Sequence, residues 1–172
     1  MRVVTSFHPL ADHSAQILIL GSMPGVVSLK ANQYYAHPRN AFWAIMGDLY
    51  NFNANSAYEN RVLSLKKYHV AVWDVLHTCV RPGSLDSAIE QGSRVCNDFR
   101  AFFQQHPNIK LIAFNGIEAE KSFKKYVLSE LKLLNMRFVR LPSSSPTHTQ
   151  VLEQKIDAWR KALLSATSRI ES

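Results

Sequence analysis

"QILILG", Gln16–Gly21, is the stretch that decides the fold: an uninterrupted apolar run that stops at a glycine. A run this short and this apolar reads as a strand buried on both faces, as in parallel sheets, followed by a loop. "HVAVWDVL" (His69–Leu76) and "IKLIAFNG" (Ile109–Gly116) repeat the pattern, and "MRFVRLP" (Met136–Pro142) is a fourth strand of alternating character. Helical spacing fills the gaps. Phe42, Ile45, Met46 and Leu49 share one face after Asn40, and Phe99, Phe102 and Phe103 stand at core spacing. Phe123, Tyr126, Val127, Leu131 and Leu134 form a third apolar stripe, and Leu152, Ile156, Trp159 and Leu163 a fourth. Strand and helix alternate four times, which implies a mostly parallel sheet with helices on both faces. No repeat, low-complexity tract or Pro/Ser-rich linker divides the chain, so residues 1–172 are expected to form one domain.

Composition narrows the function. Apolar residues make up 47% and charged residues 19%, as in a globular protein rather than a disordered one. No apolar run reaches the roughly 20 residues of a membrane span. "MRVVTSFHPL" has no long apolar core of a signal peptide, so a cytoplasmic, membrane-free location is expected. Two cysteines are too few for a disulfide framework or a four-thiolate cluster, and the histidines lack metal-ligand spacing. Neither metal nor cofactor is expected. A net charge of +7 favours a polyanionic partner, nucleic acid first.

Ligands of such sheets bind beyond the carboxyl ends of the strands, which directs attention to four loops. The turn Gly21, Ser22, Met23, Pro24, Gly25 is too short for a P-loop and lacks its lysine. It serves as an ordinary tight turn or as a backbone cradle for an anion or base edge. Tyr34 and Tyr35 suit the core or a stacking surface, and His37 and Arg39 supply charge or sit in solvent. Asn40 can cap the following helix or order a water molecule, and Asn115 can cap a turn or pair with a base edge through its carboxamide. "PSSSPTHT" (Pro142–Thr149) offers hydroxyls that cap a helix or grip a phosphodiester. Asp74, ending the second strand, can activate water or brace its loop.

Together, "LGSMPG…QYYAHPRNAFW", "WDVLHTCVRPGSLDSAI", "IAFNG" and "PSSSPTHT" resemble the uracil-DNA glycosylase superfamily, most closely its hypoxanthine-DNA (deoxyinosine) glycosylase branch. The match runs from about Leu20 to about Thr149. It implies a three-layer α/β sandwich around a four-stranded, mostly parallel sheet, and excision of a flipped, deaminated base without strand cleavage. It marks Asn40 and Asn115 as catalytic and base-contacting, with Gly21, Ser22, Met23, Pro24, Tyr34, Tyr35 and His37 around the base. Arg39, Ser143, Ser144, Ser145, Pro146, Thr147 and His148 would meet DNA. Met23 stands where mismatch-specific uracil relatives carry asparagine, which argues against mismatch-uracil activity and favours Asn40 as the substitute. The missing cysteine quartet argues against the iron–sulfur branch.

The implied enzyme is a monomer without cofactor, acting on double- or single-stranded DNA that contains deaminated bases. Asn40 orients the water and Asp74 is the runner-up for that task. Uracil or xanthine as the base, a non-catalytic nucleic-acid-binding module, and a hydrolase of free nucleosides are the alternatives. The last is disfavoured by the basic charge.

Overall fold

The structure, a computed structural model, describes residues 2–133 and 135–167. Strands β1 (Val3–Thr5) and β2 (Ile17–Gly21) are followed by helices α1 (Val26–Ala31), α2 (Phe42–Tyr50) and α3 (Tyr58–Lys67). Then come β3 (Val70–Asp74), β4 (Leu76–Val80), β5 (Val95–Cys96), α4 (Phe99–Gln105), β6 (Leu111–Asn115), α5 (Ile117–Tyr126), β7 (Arg137–Leu141) and α6 (Leu152–Thr167). Strands β3, β2, β6 and β7, in that order, form one parallel sheet. Every residue of β2 and β3 is buried, as continuous apolar runs require, whereas edge strand β7 is half-covered. Its Arg137 and Arg140 are exposed, Phe138 and Val139 intermediate and Leu141 buried, so the expected alternation is not seen.

Helices cover both faces. Phe99 and Phe102 of α4 pack on Trp73 of β3, and Phe123 of α5 packs on Phe114 and Phe138. On the other side Phe42 of α2 meets Trp159 of α6, and Trp43 meets Tyr58 of α3. Trp159, Phe42, Phe99, Phe114 and Phe123 are each essentially inaccessible. Each such ring contributes roughly 1.5–3 kcal/mol. This is the three-layer α/β sandwich that the alternating pattern implies.

Two further expectations are corrected. The expected strand His69–Leu76 leaves the parallel sheet after Asp74; its continuation β4 pairs instead with β1 and β5 in a small antiparallel sheet. Val75 and Leu76 donate to the carbonyls of Gly21 and Ser22 at that departure, so the exit of β3 and the turn after β2 are tied together. The stripe expected to carry α5 to Leu134 breaks at Tyr126. The N–H groups of Val127 and Leu128 both turn onto the Phe123 carbonyl, which closes the helix early. Leu134 itself lies outside the described residues.

Candidate functional site

The chain runs from β2 outward to β3 and then crosses back to β6 on the other side of β2, so the strand order reverses between β2 and β6. Loops diverge at such a point and leave a crevice at the carboxyl ends of the strands. Register brings the chemistry to one edge: Gly21 lies opposite Asp74, Leu20 opposite Phe114, and Asn115 opposite Leu141. A cleft of about 530 Å³ opens there, walled by the loops after all four parallel strands. All the expected site residues line it except His148, which is exposed on the loop beyond.

The turn Gly21–Gly25 forms one wall, and its first four residues are buried. What fixes it is Arg81, only 2% exposed. Its guanidinium donates to the carbonyls of Gly83, Met23 and Pro24. Ser22 Oγ donates to Asp86 Oδ1 at 2.6 Å, and the Val26 amide donates to Ser84 Oγ at 2.8 Å. The segment "RPGSLD" thus clamps the turn from outside. Sequence reading missed Arg81, because an arginine in a Pro-Gly-Ser loop looks solvated; its burial depends on carbonyls nearly sixty residues away.

Gly21 is a glycine for want of space. A Cβ there would lie 2.5 Å from Asp74 Oδ1 and 3.0 Å from Tyr35 Oη. Both groups are therefore drawn in over the turn. Asp74 is 4% exposed; its enclosed Oδ2 has no hydrogen-bond partner among the described residues, and the Tyr35 hydroxyl sits beside the Asn115 carboxamide. Burial pushes the Asp74 carboxyl up to about 7, helped by the neighbouring Asp86 charge and opposed by Arg81. Burial likewise raises Asp86, against its bond from Ser22, and lifts the Tyr35 phenol far above its ordinary value.

The two tyrosines part company. Tyr34 is a core strut: its hydroxyl donates to the His8 carbonyl, its amide to Tyr58 Oη, and its carbonyl accepts from Trp43 Nε1. Tyr35 has a φ of 53°, the left-handed region that bulky residues avoid at a cost on the order of 1–3 kcal/mol. Its ring stacks on Phe42 at 4.0 Å between centroids and stays half-buried at the cleft.

Ser144 joins the two asparagines. Asn115 Oδ1 accepts from the Ser144 amide at 2.9 Å, and Asn115 Nδ2 donates to Ser144 Oγ at 2.8 Å. The Ser144 carbonyl accepts from the Ala41 amide at 2.9 Å, directly beside Asn40. Ser144 is 1% exposed and spends its polar groups internally. Expected at DNA, it is instead an inward node. The backbone donor also fixes the orientation of the Asn115 amide, because only its oxygen can accept from an N–H. Gly116, at φ 100°, lets the backbone turn within contact of Ser143.

Asn40 is half-exposed at the cleft, and its Oδ1 accepts from the Phe42 amide at 3.0 Å, so it braces the start of α2. Both uses foreseen for it are compatible, since a carbonyl oxygen keeps a second lone pair and Nδ2 two donors. Arg39 is exposed and His37 half-exposed beside it; His37 Nδ1 accepts from the Arg39 amide. Ser145 and Thr147 share a hydroxyl contact at 2.9 Å and, with Ser143 and Pro146, shape the opposite lip. Lys155, 4% exposed, holds that lip by donating to the carbonyls of Ser145 and His148. It too was missed, being one more lysine on an amphipathic helix. Among the described residues no His/Cys/Asp/Glu group has metal-site geometry, and no helix is long and apolar enough to cross a membrane.

The parallel α/β sandwich thus brings two carboxamides, a buried carboxyl and a left-handed tyrosine together at its switch point. The chain belongs to the uracil DNA glycosylase superfamily, whose family model matches residues 8–166. It is 34% identical to a hypoxanthine DNA glycosylase of Methanosarcina barkeri, covering 91% of this chain and 95% of that relative. It is 39% identical to a hypoxanthine DNA glycosylase of Methanosarcina acetivorans, covering 89% and 93%. The solution NMR structure of a Methanosarcina acetivorans protein classed with uracil DNA glycosylases superposes with a TM-score of 0.76. The two are 30% identical, and the match covers 94% of this chain and 99% of that one.

Proposed function

We propose that the protein is a monofunctional DNA glycosylase that hydrolyses the N-glycosidic bond of a swung-out deaminated base, hypoxanthine foremost, and leaves an abasic site. The observation that carries this reading is the convergence of Asn40, Asn115, Tyr35 and the Gly21–Gly25 turn on one cleft at the switch point. The hypoxanthine DNA glycosylases it is similar to supply the choice of base. At about 530 Å³ the cleft accepts a base but not a duplex, so the nucleotide has to leave the stack.

Extrusion costs a few kcal/mol, least for a poorly paired base, and stacking returns roughly 1–3 kcal/mol. The half-open ring of Tyr35, backed by Phe42, is that stacking surface. Arg39 and, on the lip, Ser143, Ser145 and Thr147 hold the flanking phosphates. Asn40 orients water toward the anomeric carbon, while the Asn115 carboxamide and nearby amides steady charge on the departing base. A preorganised donor of this kind contributes ~3–4 kcal/mol to the barrier. Action as a monomer, as one catalytic domain, on DNA of the cytoplasm belongs to this proposal.

Duplex and single-stranded oligonucleotides bearing deoxyinosine, deoxyuridine or deoxyxanthosine test the reading through alkali-labile abasic sites. Excision of hypoxanthine, lost in Asn40→Ala, is the expected result. Binding without cleavage, or release only from free inosine, overturns it. Uracil shares the N–H/C=O edge of hypoxanthine, so a uracil preference would keep the enzyme class and change the base.

A further inference from the structure

We propose that Asp74, in its protonated form, is the acid that meets the departing base; this rests on the base-excision reading above and gives the cleft a leaving-group catalyst. The carboxyl sits at the closed end, over Gly21. Around it stand Asp86 from the 86–88 turn, Arg81 from the end of β4, and Tyr34 and Tyr35 from the loop before α2. None of them satisfies it. Arg81 spends its donors on the Gly83, Met23 and Pro24 carbonyls, Asp86 accepts from Ser22, and Tyr34 donates to His8. A buried carboxylate without donors is unfavourable, so the neutral acid persists into the neutral pH range. Among the described residues its O–H then has no acceptor, and it is left for a ligand.

Depth decides which part of the substrate that ligand is. Arg39 and Thr147 at the mouth are exposed and Asn40 is half-exposed, whereas Asp74 and the Tyr35 hydroxyl are enclosed. The sugar and its phosphates stay with the strand at the mouth, so the base alone reaches Asp74. The attacking water, beside Asn40, approaches the opposite side of the sugar from the base. Asp74 therefore faces the leaving group, and the proton runs from Asp74 outward. In the step the C1′–N9 bond breaks and its electron pair goes to the purine. The Asp74 proton passes to the purine, which departs neutral, and Asp74 becomes a carboxylate. Water oxygen bonds C1′, and the proton it releases restores the acid through solvent.

The test is single-turnover excision from deoxyinosine duplexes between about pH 5.5 and 9, for the unaltered protein and Asp74→Asn. The unaltered protein should lose about tenfold per pH unit above the Asp74 transition. Asp74→Asn should be slower by about a hundredfold at low pH, with that falling limb gone. A duplex carrying 7-methylhypoxanthine, compared at about pH 5.5 where N1 keeps its proton and the cationic base leaves neutral without gaining another, separates chemistry from structure. There Asp74→Asn should lag by no more than about threefold. Equal impairment on both bases, or a rate that rises with pH, overturns the assignment, the second outcome pointing to Asp74 as a base for water. No excision by the unaltered protein at any pH would instead sink the parent reading, and this inference with it.

Discussion

Arg81→Met removes the fork that shapes the Gly21–Gly25 turn while keeping an apolar stem of similar length. The carbonyls of Met23 and Pro24 are on buried residues, and they lose their only donor from that side chain. Each stranded acceptor costs about 1–3 kcal/mol, partly offset because a cation no longer has to be desolvated. A net loss of about 3 kcal/mol is expected, roughly a hundredfold in the folding equilibrium. Urea unfolding should show a lower midpoint with an unchanged slope. Excision should fall at least tenfold beyond any loss of folded protein, because a shift of an ångström in the turn misplaces the base. Arg81 also holds Asp74 down, so the alkaline limb of activity should move to higher pH. Arg81→Lys restores charge but not the planar fork and should resemble Met more than Arg in stability. A methionine variant within about 0.5 kcal/mol of the original, with excision reduced less than about twofold, would refute the clamp as the organiser of the turn.

Asn40→Ala should slow excision by about 10²–10³-fold while costing about 1 kcal/mol of stability from the lost Phe42 bond, read by single-turnover kinetics beside thermal unfolding. Because Asp74 is raised from 3.8 to about 7 in the folded protein, its stabilising contribution is present below the unfolded value and is lost as pH rises through the folded one. Asp74→Asn should therefore be more stable than the original at pH 8, by up to roughly 4 kcal/mol, with the gap closing near pH 4 in urea titrations. Lys155→Met frees the Ser145 and His148 carbonyls and should weaken DNA binding several-fold, measured by fluorescence anisotropy, while leaving the single-turnover rate at saturation within about threefold.

Much of this molecule is legible in its sequence. "QILILG" and its counterparts are strands because uninterrupted short apolar runs have few other homes, and the helix stripes follow from their spacing. The cleft could be located because parallel strands all deliver their following loops to one edge. What could not be read depends on distant pairings. Nothing in "DVLHTCV" says that Asp74 ends one sheet and Leu76 begins another, since the apolar character continues while the hydrogen-bond partners change. Which tyrosine is a core strut and which keeps a half-open ring at the cleft depends on one left-handed residue without a glycine to announce it. Arg81, Lys155 and the inward Ser144 belong to residue types that usually face solvent, so their roles emerge only when the carbonyls and carboxamide they meet are in place.

Ser144 has a consequence for how this enzyme type can change. One residue of the lip touches both the Asn115 side chain and the backbone beside Asn40. Insertions or deletions in the lip, the easiest route to a new grip on DNA, would pull both asparagines off station together. Loop grafts between relatives should therefore succeed only when the serine and the segments it ties travel as a set, and libraries that randomise 143–147 should return survivors with position 144 held small and hydroxylated.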